Sequence, residues 1–359
     1  MFLKTVMERN QPLVRLGIEW QQNGVILPDT YLLDYDTILE NARSIKQAGD
    51  ANGVQNFFML KQIGRNPLIA RALTDMGYVG AVCVDFREAL TMVENQIPLG
   101  NVGHLVQIPR AALKKILRAK PVIVTVYTLE KAREISAVCT ELGLHQKLML
   151  RVLGEGDMLY SGQYGGFELQ ELDSAVRAIE AMPNVEGGGV CSFPCVLYDE
   201  AAQDILPMPN LRTVQTAAEM LRARGYRDLM LNTPRDPCTH SIPMIAAAGG
   251  THGEPGHGLT GTTPYHAGHP DAEERPGYLY VSEVSHNLGD KAYCYGGGHY
   301  RRGHMKNALV GTTPENAKVV PVLPPDDSSI DYHFELQQNC PVSAAAVMAF
   351  RTQFFVTRS

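Results

Sequence analysis

One feature constrains this chain more than any other. Between residues 54 and 259, short apolar runs of strand length alternate regularly with longer stretches in which apolar residues recur at helical spacing. The strand-like runs fall at 54–61, 80–84, 102–107, 122–126, 147–152, 188–193, 228–232 and 251–259. The helical stretches fall at 67–76, 86–95, 110–119, 129–142, 168–182, 212–224 and 241–248, with a further one at 34–49 before the first strand. Eight strands, each followed by a helix, predict a (β/α)8 TIM barrel. The strands are almost continuously apolar, as strands covered on both faces must be. The eighth run is rich in Gly and His and makes the poorest strand, so a doubly wound open sheet is the alternative topology.

After Gly261 the rhythm stops, and turn residues separate β-like pieces at 277–284, 291–295, 307–310 and 318–321, with 350–356 as a closing strand. Residues 1–30 also lack the alternation and contain a β-like piece at 14–18. The expected organisation is a barrel over 31–262 and a second, mostly β domain built from both chain ends, 1–30 plus 263–359.

Composition narrows the function. A 45% hydrophobic chain of 359 residues can bury a large core. A net charge of −6 without a basic block argues against nucleic acid and against a charged membrane contact. No apolar run reaches the roughly 18 residues of a membrane span, and the first residues lack a signal peptide's apolar stretch. Seven scattered cysteines form no disulfide framework. These features predict a cytoplasmic protein of enzyme size acting on a small molecule.

Two stretches carry chemistry. Phe57-Phe58-Met59-Leu60-Lys61 is an apolar run ending in a lysine. At the rim of a barrel such an amine is partly desolvated, which favours its neutral, nucleophilic form. Taken alone, Lys61 better suits a strand-end residue paired with a carboxylate. The second stretch, Thr251-His252-Gly253-Glu254-Pro255-Gly256-His257-Gly258, places one carboxylate among glycines whose backbone can approach an anion closely.

With the Asp34–Ala42 helix start before it and Gln62-Ile63-Gly64-Arg65-Asn66-Pro67 after it, the Lys61 strand resembles the alanine racemase-like, fold-type III pyridoxal 5′-phosphate (PLP) enzymes. Within these the run is similar to the YhfX-like group. The resemblance covers roughly residues 31–311. It implies a PLP cofactor bound covalently at Lys61 as a Schiff base, with Glu254 facing the pyridine nitrogen and Pro255-Gly256 helping to hold the phosphate. Alanine racemases have Arg-Pro-Gly there, whereas decarboxylases of basic amino acids have Glu-Pro-Gly. A carboxylate accepts a hydrogen bond from a protonated ring nitrogen and an arginine does not.

The resemblance further implies Arg65, Thr239, Ser241, Gly256 and His257 as phosphate contacts, and Arg151 near the ring oxygen and substrate carboxylate. Arg65 suits a helix-start surface residue equally well, and Thr239 or Ser241 an N-cap. Gln163 stands where racemases carry an arginine, and Ser192-Phe193-Pro194-Cys195 where the family usually shows a histidine. Racemisation needs a proton carrier on each face of a planar carbanion. Lys61 serves one face. By analogy, Tyr295 from a partner subunit serves the other, with Cys294 as the alternative that decarboxylases use. The expectation is therefore an amino-acid racemase working as a homodimer, with a decarboxylase or a non-catalytic PLP-binding protein as alternatives. The histidines of 240–304 have no metal-site spacing, so no metal is expected.

Overall fold

Where the sequence predicts eight parallel barrel strands, the computed structural model has eight in the ring among its described residues, counting the interrupted first strand as one, with a further two-residue piece, Phe167–Glu168, paired parallel outside the ring; it describes residues 2–235, 237–296, 303–323, 325–326, 328–330 and 332–353. The chain divides into two compact units. One comprises residues 42–60 and 65–256; the other comprises 1–41, 61–64 and 257–359.

The first unit is the barrel. Its first strand has two parts, Gln55–Asn56 and Phe58–Met59, interrupted at Phe57. The sheet then runs through Ala81–Cys83, Leu99–Val102, Ile123–Val126, Gln146–Leu153, Val185–Cys191, Met230–Asn232 and His252–Gly253, all parallel. Closure happens at Phe57. The Phe57 amide donates to the Gly253 carbonyl at 3.0 Å, and the next amide, Phe58, donates to Gly80 on the opposite neighbour at 3.1 Å. The eighth strand, poor by composition, is thus only two residues long but completes the ring. The third strand lies earlier than its apolar run suggests. Gly103 adopts φ +90°, where a Cβ would sit 2.8 Å from the Thr125 carbonyl oxygen, and the strand ends before it.

The helices follow their sequence signals. Thr128 accepts the Lys131 amide at the start of Leu129–Leu142, and Gly143 ends that helix in the left-handed conformation at φ +63°. Asn66 caps Pro67–Asp75, with proline in the first turn. Asp85 caps Phe86–Glu94. An antiparallel hairpin, Val196–Asp199 with Asp204–Pro207, interrupts the rhythm after the sixth strand.

The second unit contains an antiparallel sheet in the order Thr30–Leu33, Tyr278–Leu288, Lys291–Tyr295, His333–Leu336, Lys318–Leu323, Asn307–Gly311, Ala345–Met348. The last strand pairs back onto Tyr278–Leu288, so the sheet closes on itself. Period-two alternation separates its faces. Tyr280 and Met348 belong to one apolar core with Phe334 and Cys294, whereas Leu279, Val281 and Val347 pack with residues of the N-terminal helices.

Three expectations need correction. The segment 14–18 is not β but lies inside the helix Gln11–Gln22, which follows the helix Leu3–Arg9. Asn10 accepts the Leu13 amide, Pro12 occupies the first turn, and Leu13, Val14, Gly17, Ile18 and Gln21 form a helical buried stripe. The closing strand is Ala345–Met348; of 350–356, residues 350–353 are not strand and 354–356 lie outside the described residues. Residues 31–33, assigned to the barrel domain by sequence, instead form a strand with Thr30 that pairs with Tyr278–Leu288.

Candidate active site

Side chains at and beyond the C-terminal ends of the barrel strands form one connected polar cluster. Glu254 follows the eighth strand and is 4% exposed. Its Oε1 accepts two amide N–H groups, from Asn232 Nδ2 at 2.6 Å and Asn101 Nδ2 at 2.9 Å. Asn232 ends the seventh strand and Asn101 lies on the third. The orientation of Asn101 is fixed in turn, because its Oδ1 accepts the Thr125 hydroxyl of the fourth strand at 2.7 Å. The second carboxylate oxygen, Oε2, is buried without a hydrogen-bond partner among the described residues. His104 Nε2 lies 3.8 Å from it, beyond hydrogen-bond range.

Arg151 on the fifth strand is fully buried. Nη1 donates to the Tyr127 hydroxyl at 2.9 Å, and the guanidinium lies 4.9 Å from the centre of the Tyr127 ring. Nε and Nη2 have no hydrogen-bond partner among the described residues. A buried cation with two open donor edges is costly unless an anionic or polar group meets them. The Tyr127 hydroxyl donates to the His104 carbonyl at 2.5 Å. Gly165 brings the 154–166 segment onto this ring: it has φ +137°, and a Cβ there would stand 2.9 Å from Tyr127. His104, Phe193 and Tyr160 continue as a row of ring contacts at 5.6 Å each. Cys191, ending the sixth strand, has its thiol pushed up to about 12 by burial, with the Arg151 charge opposing. Burial also pushes His252 down to about 4, with the Glu254 charge opposing, so the imidazole is neutral near pH 7.

The residues singled out from sequence take varied places. Lys61 is 7% exposed and begins the short 61–64 segment directly after the first strand. The Met59 amide, two residues before it, donates to the Pro255 carbonyl at 2.9 Å, tying the lysine strand to the Glu254-Pro255-Gly256 turn. Arg65 has a left-handed backbone at φ +56°, and its amide closes a loop onto the Leu60 carbonyl at 3.1 Å. Its guanidinium faces carboxylates, 3.8 Å from both Asp85 and the fully buried Glu88. Ser241 makes no side-chain cap to the six-residue helix Ile242–Ala247; its hydroxyl accepts the Cys238 amide at 3.0 Å. Thr239 is half-buried. His257 belongs to the other unit, where its Nε2 accepts from Arg351 Nε at 3.2 Å.

Tyr295 ends its strand 39% exposed, with its ring beside His333 at 5.7 Å. Its neighbour Cys294 points the other way. It is 0% exposed in the β core, and burial pushes its thiol up to about 12. Residues 297–302, which include His299, lie outside the described residues. Among the described residues no three His, Cys, Asp or Glu side chains gather as a metal site, and no helix is long and apolar enough to cross a membrane. His266 instead bonds Glu274 at 3.0 Å and Thr263 at 2.6 Å.

Sequence reasoning missed Asn101, Thr125, Tyr127 and His104, and noted Asn232 only as the start of a loop. The signal was available: Asn101, Thr125 and Asn232 are isolated polar residues in apolar strand runs, and a buried polar group needs a partner.

A family model for the alanine racemase N-terminal domain matches residues 33–264, and one for the YhfX-like C-terminal domain matches 279–359. Among solved structures, D-threonine aldolase from Filomicrobium marinum has a similar fold, with TM-score 0.66 and 16% identity over 91% of this chain and 87% of that one. Alanine racemase of Clostridium difficile 630 in complex with cycloserine gives TM-score 0.63 and 15% identity, over 90% and 86% of the two chains. The chain belongs to the alanine racemase-like, fold-type III family, whose members bind pyridoxal 5′-phosphate. Its C-terminal part marks it as YhfX-like, and it is 42% identical to "Uncharacterized protein YhfX" of Escherichia coli (strain K12), over 100% of this chain and 93% of that protein.

The polar atoms left open test the fit of such a cofactor. A buried acceptor on Glu254 and buried donors on Arg151 complement a heterocycle with a protonatable ring nitrogen and anionic oxygens.

Proposed function

We propose that this chain is a PLP-dependent enzyme acting at the α-carbon of an amino acid, and that the reaction is racemisation. The observation that carries the reading is Glu254, a carboxylate with one oxygen held by two amides and the other open. It sits one residue before Pro255, whose carbonyl holds the strand that leads into Lys61.

In this reading Lys61 holds the cofactor aldehyde, and Glu254 Oε2 accepts from the ring nitrogen. Arg151 offers Nε and Nη2 to the ring oxygen or the substrate carboxylate. The Gly256 backbone and the Thr239 hydroxyl meet the phosphate. Arg65, Ser241 and His257 are the further phosphate contacts of this reading. When bound, PLP supplies an electron sink for the pair left at the α-carbon. The amine of Lys61 takes and returns a proton on one face of that carbon. The Tyr295 hydroxyl of a partner subunit does so on the other, so the active form is a homodimer.

Decarboxylation is the second reading, because a carboxylate ring partner is shared with Glu-Pro-Gly enzymes. A diaminopimelate decarboxylase from Helicobacter pylori and a D-threo-3-hydroxyaspartate dehydratase are also similar in fold. Burial of Cys294 weighs against it, since a thiol held protonated in a β core is poorly placed to exchange protons with a substrate. The test is reconstitution with PLP followed by incubation with a panel of amino acids in deuterated water. Deuterium at the α-carbon with inversion and without CO₂ supports racemisation. CO₂ release supports the second reading. Bound PLP with neither outcome on any substrate leaves a carrier protein.

A further inference from the structure

We infer that Asn101, Asn232 and Thr125 form a positioning clamp that fixes the direction of Glu254 for a protonated ring nitrogen. The inference rests on the reading above and assigns new residues to it. Both Asn amides donate to the same carboxylate oxygen, at 2.9 and 2.6 Å. They saturate that oxygen, so a ligand is met by Oε2 alone, which is buried and open.

The clamp has its own support. A carboxamide can turn over and present oxygen instead of nitrogen. Glu254, an acceptor on this side, makes the flipped state unfavourable, and the Thr125 hydroxyl, at 2.7 Å from Asn101 Oδ1, holds the far side of the amide in place. An Asn101 amide turned the other way would set two oxygens against each other beside Glu254. Asn101, Thr125 and Asn232 are each at most 1% exposed, so water cannot take over these bonds. His104 Nε2 lies 3.8 Å from Oε2, and the Glu254 charge also acts on His252, Cys191 and Cys195. The three residues come from the third, fourth and seventh strands, so the aim of Glu254 is set by the barrel wall and not by its own Gly-rich turn.

The clamp predicts an effect specific to the ring nitrogen. The probes are PLP and 1-deaza-PLP, which differ only in that atom, and the readout is equilibrium binding rather than turnover. Wild-type protein should prefer PLP. In Asn101→Leu, a change of similar size that removes the donor and adds no charge, that preference should shrink about tenfold, the effect of one charge-assisted hydrogen bond. Thr125→Val should shrink it about threefold, because the amide remains but is less well aimed. Asn232→Leu provides an independent arm should Asn101→Leu fail to fold.

Equal loss of affinity for both compounds would make these residues general packing and overturn the clamp. An unchanged preference would overturn it as well. Wild-type protein that binds neither compound would instead sink the PLP reading itself, so the two failures are told apart in the first measurement.

Discussion

Glu254 and Tyr295, the two proposed ends of the chemistry, are held in opposite ways. Glu254 is 4% exposed and fixed through residues of three other barrel strands. Tyr295 is 39% exposed at a strand end, its ring beside His333. A parallel barrel converges side chains from distant segments onto its C-terminal rim, where it can fix an atom within a fraction of an ångström. A strand end on the surface of an antiparallel sheet can present a group but cannot enclose it. The difference teaches where the fold itself aims a side chain and where the proposed reading calls on a partner's surface to finish the site.

The largest effect expected on the barrel side comes from Lys61→Ala. It should abolish the visible absorbance of PLP-loaded protein and lower α-proton exchange by at least about 10³-fold. Retained absorbance in this variant would remove the lysine from the reading. On the sheet side, Tyr295→Phe should lower inversion about 10²- to 10⁴-fold, the usual worth of a positioned acid–base group. Exchange of the α-proton without inversion should persist from one enantiomer, because the Lys61 face is intact. Loss of both in equal measure would break the two-sided comparison.

The same contrast explains what the sequence made legible. The barrel could be read because alternation is a long-range periodic signal, and the Leu129–Leu142 helix ends where Thr128 and Gly143 predict. Lys61 and Glu254 stood out because an ionisable residue closing an apolar run or sitting among glycines is unusual. Asn101 and Thr125 were passed over because a single polar residue in an apolar strand has no local partner; its partner lies 153 residues away for Asn101 and 24 away for Thr125. The N-terminal helices were misread at 14–18 because β-branched residues outweighed the Asn10–Pro12 start signal. The buried side of Cys294 and the exposed side of Tyr295 follow from strand phase, which only the pairing with Tyr278–Leu288 and His333–Leu336 sets.

A pH titration of stability probes the barrel side without any cofactor. His252 stacks on Phe57 at 5.3 Å between ring centres, and burial holds its imidazole down to about 4. The unfolded imidazole takes its proton near 6.5. Between these values the unfolded chain binds more protons than the folded one, so stability falls as pH falls through that window. Below about 4 both states are protonated and the slope from this group ends. The total should be on the order of 3 kcal/mol, read from urea unfolding at pH steps across the window. His252→Leu should remove most of that slope; if the slope survives, it belongs to other groups.

The smallest effect is expected at Cys294, and its smallness is informative. The thiol lies in the β core with Tyr280, Val284, Phe334 and Leu336, fully covered. Cys294→Ala removes one sulfur from a packed interior, which should cost about 1 kcal/mol of unfolding free energy through the space left behind. Turnover should stay within about twofold, because the strand phase that buries this thiol is the phase that exposes Tyr295. A hundredfold loss of turnover with unchanged stability would mean that the thiol reaches the substrate, which requires the Lys291–Tyr295 strand to shift by one residue. Such a shift would turn Tyr295 into the core and Cys294 to the surface at once. The two substitutions therefore test a single register: Tyr295→Phe damaging and Cys294→Ala mild is the pattern this sheet requires, and the reverse pattern would replace racemisation with the decarboxylase reading.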